Sequence, residues 1–187
     1  RVNLRVVEAP APARTVVEIV NDDMPFLLDS LTMTIAGEAL TLHLAIHPIV
    51  AARRDRDGRL TEIFVPDAAP DGARRESIMR LEIAQATDAA ERTRLRDTLL
   101  GVLAEVRAAV EDWGAMRDAV AATQAALTAR PPGAAPELLP EARNFLSWLL
   151  DEYFVFLGSR QYRFDAGAGG DIVPGSGLGI LRDESRS

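Results

Sequence analysis

The feature that most constrains this chain is a β-branched run that stops at an acidic, proline-containing turn. Residues 15–20 read Thr-Val-Val-Glu-Ile-Val. That composition suits a buried strand, because branched side chains pack well on a pleated surface. Asn21-Asp22-Asp23-Met24-Pro25-Phe26 follows, and Leu27, Leu28, Leu31 and Ile35 then fall on one helical stripe. Pro25 suits the first helical position, and Gly37 suits a stop. A strand turning directly into an amphipathic helix must bury one side of each, so this chain should be built around a sheet with helices laid on it.

From Leu42 the period changes to two. Leu42, Leu44 and Ile46 share one face, and His43, Ala45 and His47 share the other. Pro48 cannot donate to a ladder, which places this strand at a sheet edge or at a bulge. Asp57-Gly58 predicts a hairpin between residues 46–50 and 60–65. Residues 66–75 read as a loop, and residues 77–86 as a further strand. Asp88 with Glu91 three positions on resembles a capping box. Leu95, Leu99, Val102, Leu103, Val106, Val110 and Trp113 then trace a long helix, with Gly114 as its candidate kink before Met116, Val120 and Leu127.

Arg130-Pro131-Pro132-Gly133-Ala134-Ala135-Pro136 breaks that pattern and reads as a linker. Ala142, Phe145, Leu146, Leu149 and Leu150 mark a second amphipathic helix. Residues 153–157 read as a buried strand, continued by residues 161–164. The order predicts an α+β, ferredoxin-like βαββαβ sandwich: an antiparallel sheet with helices on one face. Residues 153–164 either close that sheet or begin the next module.

Composition narrows the function. With 187 residues and 48% hydrophobic content the chain can bury a core. Its 28 acids against 21 bases argue against a nucleic-acid partner. Without cysteine, disulfides and thiolate metal sites are excluded. No apolar run approaches the ~20 residues that span a bilayer, and no signal-peptide pattern opens the chain. It reads as soluble and cytoplasmic, with no membrane partner. Arg1 at the start and Asp183-Glu184-Ser185-Arg186-Ser187 at the end read as the borders of an excised piece.

Catalytic and cofactor signals are weak. His43 and His47 on a strand stand about 13 Å apart, too far to share one ion, and read as ordinary sheet-face histidines. Gly167-Ala168-Gly169-Gly170 and Gly175-Ser176-Gly177-Leu178-Gly179 lack phosphate-loop spacing and read as a flexible connector. Trp148, Tyr153, Phe154, Phe156, Tyr162 and Phe164 follow acidic residues rather than basic signature strands, and read as core packing. No catalytic residue, metal ligand or bound cofactor is expected.

The turn itself remains, with two readings. A helix N-terminus offers unpaired N–H groups and positive dipole character, suited to a carboxylate, while Asp22 and Asp23 can receive an ammonium. Together they complement an amino-acid zwitterion, and the candidate effector site is Asn21, Asp22, Asp23, Met24, Pro25, Phe26 and Leu27. Alternatively, Asp23 caps the helix and Asp22 is solvated.

Asp23-Met24-Pro25-Phe26-Leu27-Leu28 resembles the ACT-domain pattern of an Asp, a variable residue, Pro-Gly and an apolar helix, with Phe26 in place of the glycine. Residues 21–30, 47–50, 76–83, 145–149, 156–162 and 177–182 together resemble the N-terminal region of the very large bacterial NAD-specific glutamate dehydrogenases. The resemblance implies a parent that oxidatively deaminates glutamate to 2-oxoglutarate with NAD, its catalytic and NAD-binding region lying outside this segment. It further implies an ACT-like domain over 14–128, after a lead-in at 1–13 and before a linker at 129–140. Residues 141–187 are then a helix, a strand and a glycine-rich tail. The implied partners are other domains of the same polypeptide, a possible homo-oligomer and a free amino-acid effector.

Overall fold

In the computed structural model, which describes residues 2–9, 13–84, 88–129, 135–151, 154–164 and 170–183, the β-branched run lies at the heart of a six-stranded antiparallel sheet. The elements in order are β1 (Asn3–Ala9), β2 (Arg14–Asp22), α1 (Leu27–Gly37), β3 (Leu42–Ile46), β4 (Ile49–Arg54), β5 (Leu60–Phe64), β6 (Arg74–Ile83) and α2 (Ala89–Thr128). Strand order is β1-β2-β6-β4-β5, with β3 also paired to β6. The α+β, ACT-like architecture expected from the sequence is present. Asn3–Ala9, within the expected lead-in, forms the strand flanking β2.

Period-two alternation sorts the sheet. Thr15, Val17, Ile19 and Asn21 on β2, with Ser77, Met79, Leu81 and Ile83 on β6, are each at most 1% exposed. Leu27, Leu31 and Ile35 of α1 and Leu95, Leu99 and Leu103 of α2 are buried in the same unit. Each fully buried leucine or isoleucine contributes about 1.5–3 kcal/mol. The opposite face carries a charge ladder. Arg80 bridges Glu18 at 2.9 Å and Glu82 at 3.0 Å, Arg5 pairs with Glu18, and Arg14 with Glu82 at 3.2 Å. A one-residue slip of register would turn these charges into the core, so the ladder fixes pairing more than it adds stability.

Pro48 explains the break between β3 and β4. It has no N–H, but its carbonyl accepts from the Ile78 N–H at 3.0 Å, so both strands run along one side of β6 with His47-Pro48 between them. The hairpin at Asp57-Gly58 joins β4 to β5; Asp55 Oδ1 accepts from the Asp57 and Arg59 N–H groups at 2.9 Å.

Three local expectations change. α1 starts at Leu27 rather than Pro25, because Phe26 takes the left-handed conformation and ends the turn. The expected loop at 66–75 contains a 3₁₀ turn (Pro66–Ala68), and β6 already begins at Arg74, where Arg74 and Arg75 pair with Ala52 and Ala51. α2 is one helix of 40 residues that passes through Gly114 without a break. Its start matches the capping motif, with Asp88 Oδ1 accepting the Glu91 N–H at 2.7 Å.

The chain divides into two units, Arg1–Ala104 and Glu105–Ser187, with the boundary inside α2. The second unit holds α3 (Leu139–Leu150), β7 (Gly158–Ser159), β8 (Tyr162–Phe164), β9 (Gly170–Ile172) and β10 (Leu178–Gly179). Gln124 on α2 donates to Ser147 Oγ at 2.6 Å and so holds α3. β7 pairs with β10 and β8 with β9; among the described residues none of the four joins the six-stranded sheet. The linker expected at 129–140 falls partly on residues 130–134, and the strand expected at 153–157 begins on Tyr153; these positions, with 165–169, lie outside the described residues. Residues 154–157 form no strand. Phe154, Val155 and Leu157 are exposed, and only Phe156 turns inward.

The glycine-rich tail is built to a purpose. Gly179 has φ +60°, and a Cβ there would lie 2.2 Å from the Leu157 carbonyl oxygen. Its N–H donates to Asp112 Oδ2 at 2.7 Å, and Arg182 donates to the same carboxylate at 3.0 Å. The expected connector is therefore, at Gly177–Gly179, a close-packed ladder clasped to α2.

Candidate functional site

The β2–α1 turn brings together side chains that sequence alone does not connect. Pairing in register sets Asn21 opposite Ser77 and Asp22 opposite Glu76. The Asp23 N–H extends the ladder by donating to the Arg75 carbonyl at 3.0 Å. The Asp23 carboxylate then accepts the Ser77 hydroxyl at 2.7 Å through Oδ1 and Arg75 Nε at 3.4 Å through Oδ2. Asn21 is buried, and its Nδ2 donates to the Asp22 carbonyl at 3.0 Å, bracing the turn from inside.

Asp22 and Glu76 face each other as like charges, an arrangement that opposes pairing. Arg54 relieves it by forking onto Glu76 through Nε at 2.6 Å and Nη2 at 2.7 Å. The Glu76 hydrogen bond, foremost, pushes the Arg54 guanidinium above its ordinary value.

Phe26 is the last residue of the turn before α1. Its φ of 68° is a conformation that favours glycine, the residue the ACT pattern has here. Phe26 is 48% exposed, while the neighbouring Leu27 is buried. The Ser30 N–H bonds the Phe26 carbonyl at 3.0 Å, and no side chain caps the helix. Asp23 as a helix cap is thereby corrected: its carboxylate reaches across to β6. Met24 is partly buried and Pro25 exposed.

The sequence reading missed Arg75, Ser77, Arg54 and Glu76. Asp23 is separated from Arg75 and Ser77 by 52 and 54 positions, and only strand register joins them. The local chemistry is that of an anion–cation pair beside an uncapped helix start. Arg75 keeps 55% of its side chain exposed next to Asp23.

Elsewhere, His43 is exposed on β3, and His47 follows it with Nε2 buried and unpartnered. Among the described residues, no group of three or more His, Asp or Glu is placed to hold a metal ion. The glycines of the tail are close-packed rather than open as a phosphate loop would be. Gly177 and Gly179 each approach a backbone carbonyl, of Leu181 and Leu157, and the Gly179 N–H is taken by Asp112. No helix among the described residues is long and apolar enough to cross a membrane.

An antiparallel sheet whose first inner strand turns through Asp-x-Pro into a helix defines the first unit as an ACT-type domain. Residues 8–99 match the family described as glutamate dehydrogenase, ACT1 domain, and the chain as a whole is similar to an N-terminal region of large NAD-specific glutamate dehydrogenases. It is 34% identical over 172 residues to the NAD-specific glutamate dehydrogenase of Halomonas elongata, covering 90% of this chain and 11% of that protein. It is 33% identical over 171 residues to the Pseudomonas aeruginosa protein of the same name, with the same two coverages. The chain thus spans about a tenth of the length of the curated relatives it matches.

Proposed function

We propose that this chain is a non-catalytic regulatory and assembly segment of an NAD-dependent glutamate dehydrogenase, with its ACT turn closed to amino-acid ligands. The observation that carries the reading is the engagement of Asp23. The carboxylate that would receive a ligand's ammonium already accepts Ser77 and Arg75. Phe26 stands where the ACT pattern has glycine, and its half-exposed ring obstructs approach from solvent rather than filling an interior cavity. On this reading, oxidative deamination of glutamate to 2-oxoglutarate with NAD takes place in other parts of the parent. This segment serves domain packing in a cytoplasmic enzyme, with other domains of the same polypeptide or a second copy as partners.

A second reading has one observation in its favour. The uncapped α1 start and the exposed Arg75 guanidinium could together receive a carboxylate, which keeps an amino-acid effector at Asn21–Leu27 as the alternative. A thermal-shift panel of the common amino acids separates the two. A ligand at a hundredfold its Kd adds about 2.7 kcal/mol of stability, and the closed-turn reading expects no shift from any of them. A shift that Asp23→Ala abolishes would establish sensing instead.

A further inference from the structure

The second unit wears its aromatic residues on the outside. Among the described residues it buries only three hydrophobic side chains, Ala109, Met116 and Phe156. α3 buries none of its residues, although Phe145, Leu146, Leu149 and Leu150 recur at helical spacing. Phe145 stacks on Trp148 at 6.0 Å, Trp148 meets Phe154 at 6.3 Å, and Phe154 meets Phe156 edge-on at 5.3 Å. Of these four rings only Phe156, at 8% exposure, is inside; Phe145, Trp148 and Phe154 stand 45–56% exposed, with Leu157 beside them. The expectation of core packing for this cluster is corrected accordingly.

The helix that carries Phe145 and Trp148 is tied to α2. Gln124 holds α3 through Ser147 and the Arg143 carbonyl, so the ladder of rings is presented on an anchored helix. A contiguous apolar surface of this kind, rich in Phe and Trp, has the make-up of an interface core and is a liability if left in water.

We propose that the Phe145–Trp148–Phe154 surface is a docking face for another segment of the parent polypeptide. The occupant follows from proportion: relatives match this chain over 90% of its length, yet the matched stretch is 11% of each of them. The patch lies past residue 99, outside the ACT1 match, so it belongs to the part of the chain that the ACT domain does not account for. Glu141 and Asp151 outnumber Arg143 on and beside α3, so the helix has no net basic character that would suit nucleic acid. This rests on the proposed place of the chain in a longer enzyme, and not on whether its ACT turn binds a ligand.

Hydroxyl-radical footprinting tests it without a mutation, since the chain has two tryptophans, Trp113 and Trp148, of similar exposure (44% and 47%). Trp148 should be oxidised readily in the 187-residue chain, kept monomeric by dilution and checked by ultracentrifugation. In the full parent its oxidation should fall about fivefold or more, as a half-exposed ring becomes buried. Equal oxidation in the two would overturn the proposal. Protection that grows with the concentration of the isolated chain would overturn it too, by making a second copy the occupant. A stabilising amino acid would sink the closed-turn reading and leave the Trp148 result standing.

Discussion

The Ser77 hydroxyl donates to Asp23 Oδ1 at 2.7 Å, tying the β2–α1 turn to β6, the strand paired with β2. Ser77 is fully buried, so Asp23→Ala leaves its hydroxyl without this acceptor. We expect a loss of about 1–3 kcal/mol in urea unfolding, with Asp23→Asn costing less because it keeps an acceptor. Identical stabilities for the two variants and the parent sequence would show that the bond does not hold the turn.

Phe26→Gly should stabilise the chain. The φ of 68° costs a side-chain-bearing residue about 1–2 kcal/mol, and glycine removes that cost. Part of the gain is lost to the greater freedom of an unfolded glycine, leaving roughly 1 kcal/mol or less. A fall in thermal midpoint would mean that the exposed ring contributes contacts outweighing the strain.

Gly179→Ala should open the clasp on α2. The added Cβ meets the Leu157 carbonyl, and the backbone conformation is itself unfavourable to alanine. Strain of about 1–3 kcal/mol concentrates on β7 and β10. Hydrogen exchange should speed up at residues 157–182 and remain unchanged in β2 and β6.

The same clasp should weaken in acid. Hydrogen bonds from Arg182, and secondarily from the Gly179 N–H, hold the Asp112 carboxyl below its ordinary value of 3.8. A depressed carboxylate contributes fully above its unfolded value, and the contribution is lost as pH falls through the folded one. Exchange of the Gly179 amide should therefore be flat from neutral pH down to about 4 after correction for intrinsic rates, and accelerate below it. Asp112→Asn should remove that acid step.

Local signals carried much of the first unit. Val17 and Ile19 announced β2 by composition, and Leu27, Leu31 and Ile35 announced α1 by period, while Pro48 signalled an edge or bulge but not the split into two strands. What escaped depends on distant pairing. Nothing near Asn3–Ala9 says that it will flank β2, and nothing near Asp23 names Ser77. The aromatic residues misled for a different reason. An apolar run reads the same whether it fills a core or faces a partner, and Trp148 and Phe154 are apolar at helical and strand spacing either way. Gly179 was read as slack because a glycine required by a close backbone approach looks like one that merely permits motion.

On the proposed reading, Asp23 and Phe26 close the ACT turn to amino acids. Calorimetric titration of the chain with the common amino acids, one at a time and beside its Phe26→Gly variant, tests it most directly. No heat of binding is expected from the unaltered chain with any of them. Saturable one-to-one binding of an amino acid to the unaltered chain, lost in Asp23→Ala, would contradict it.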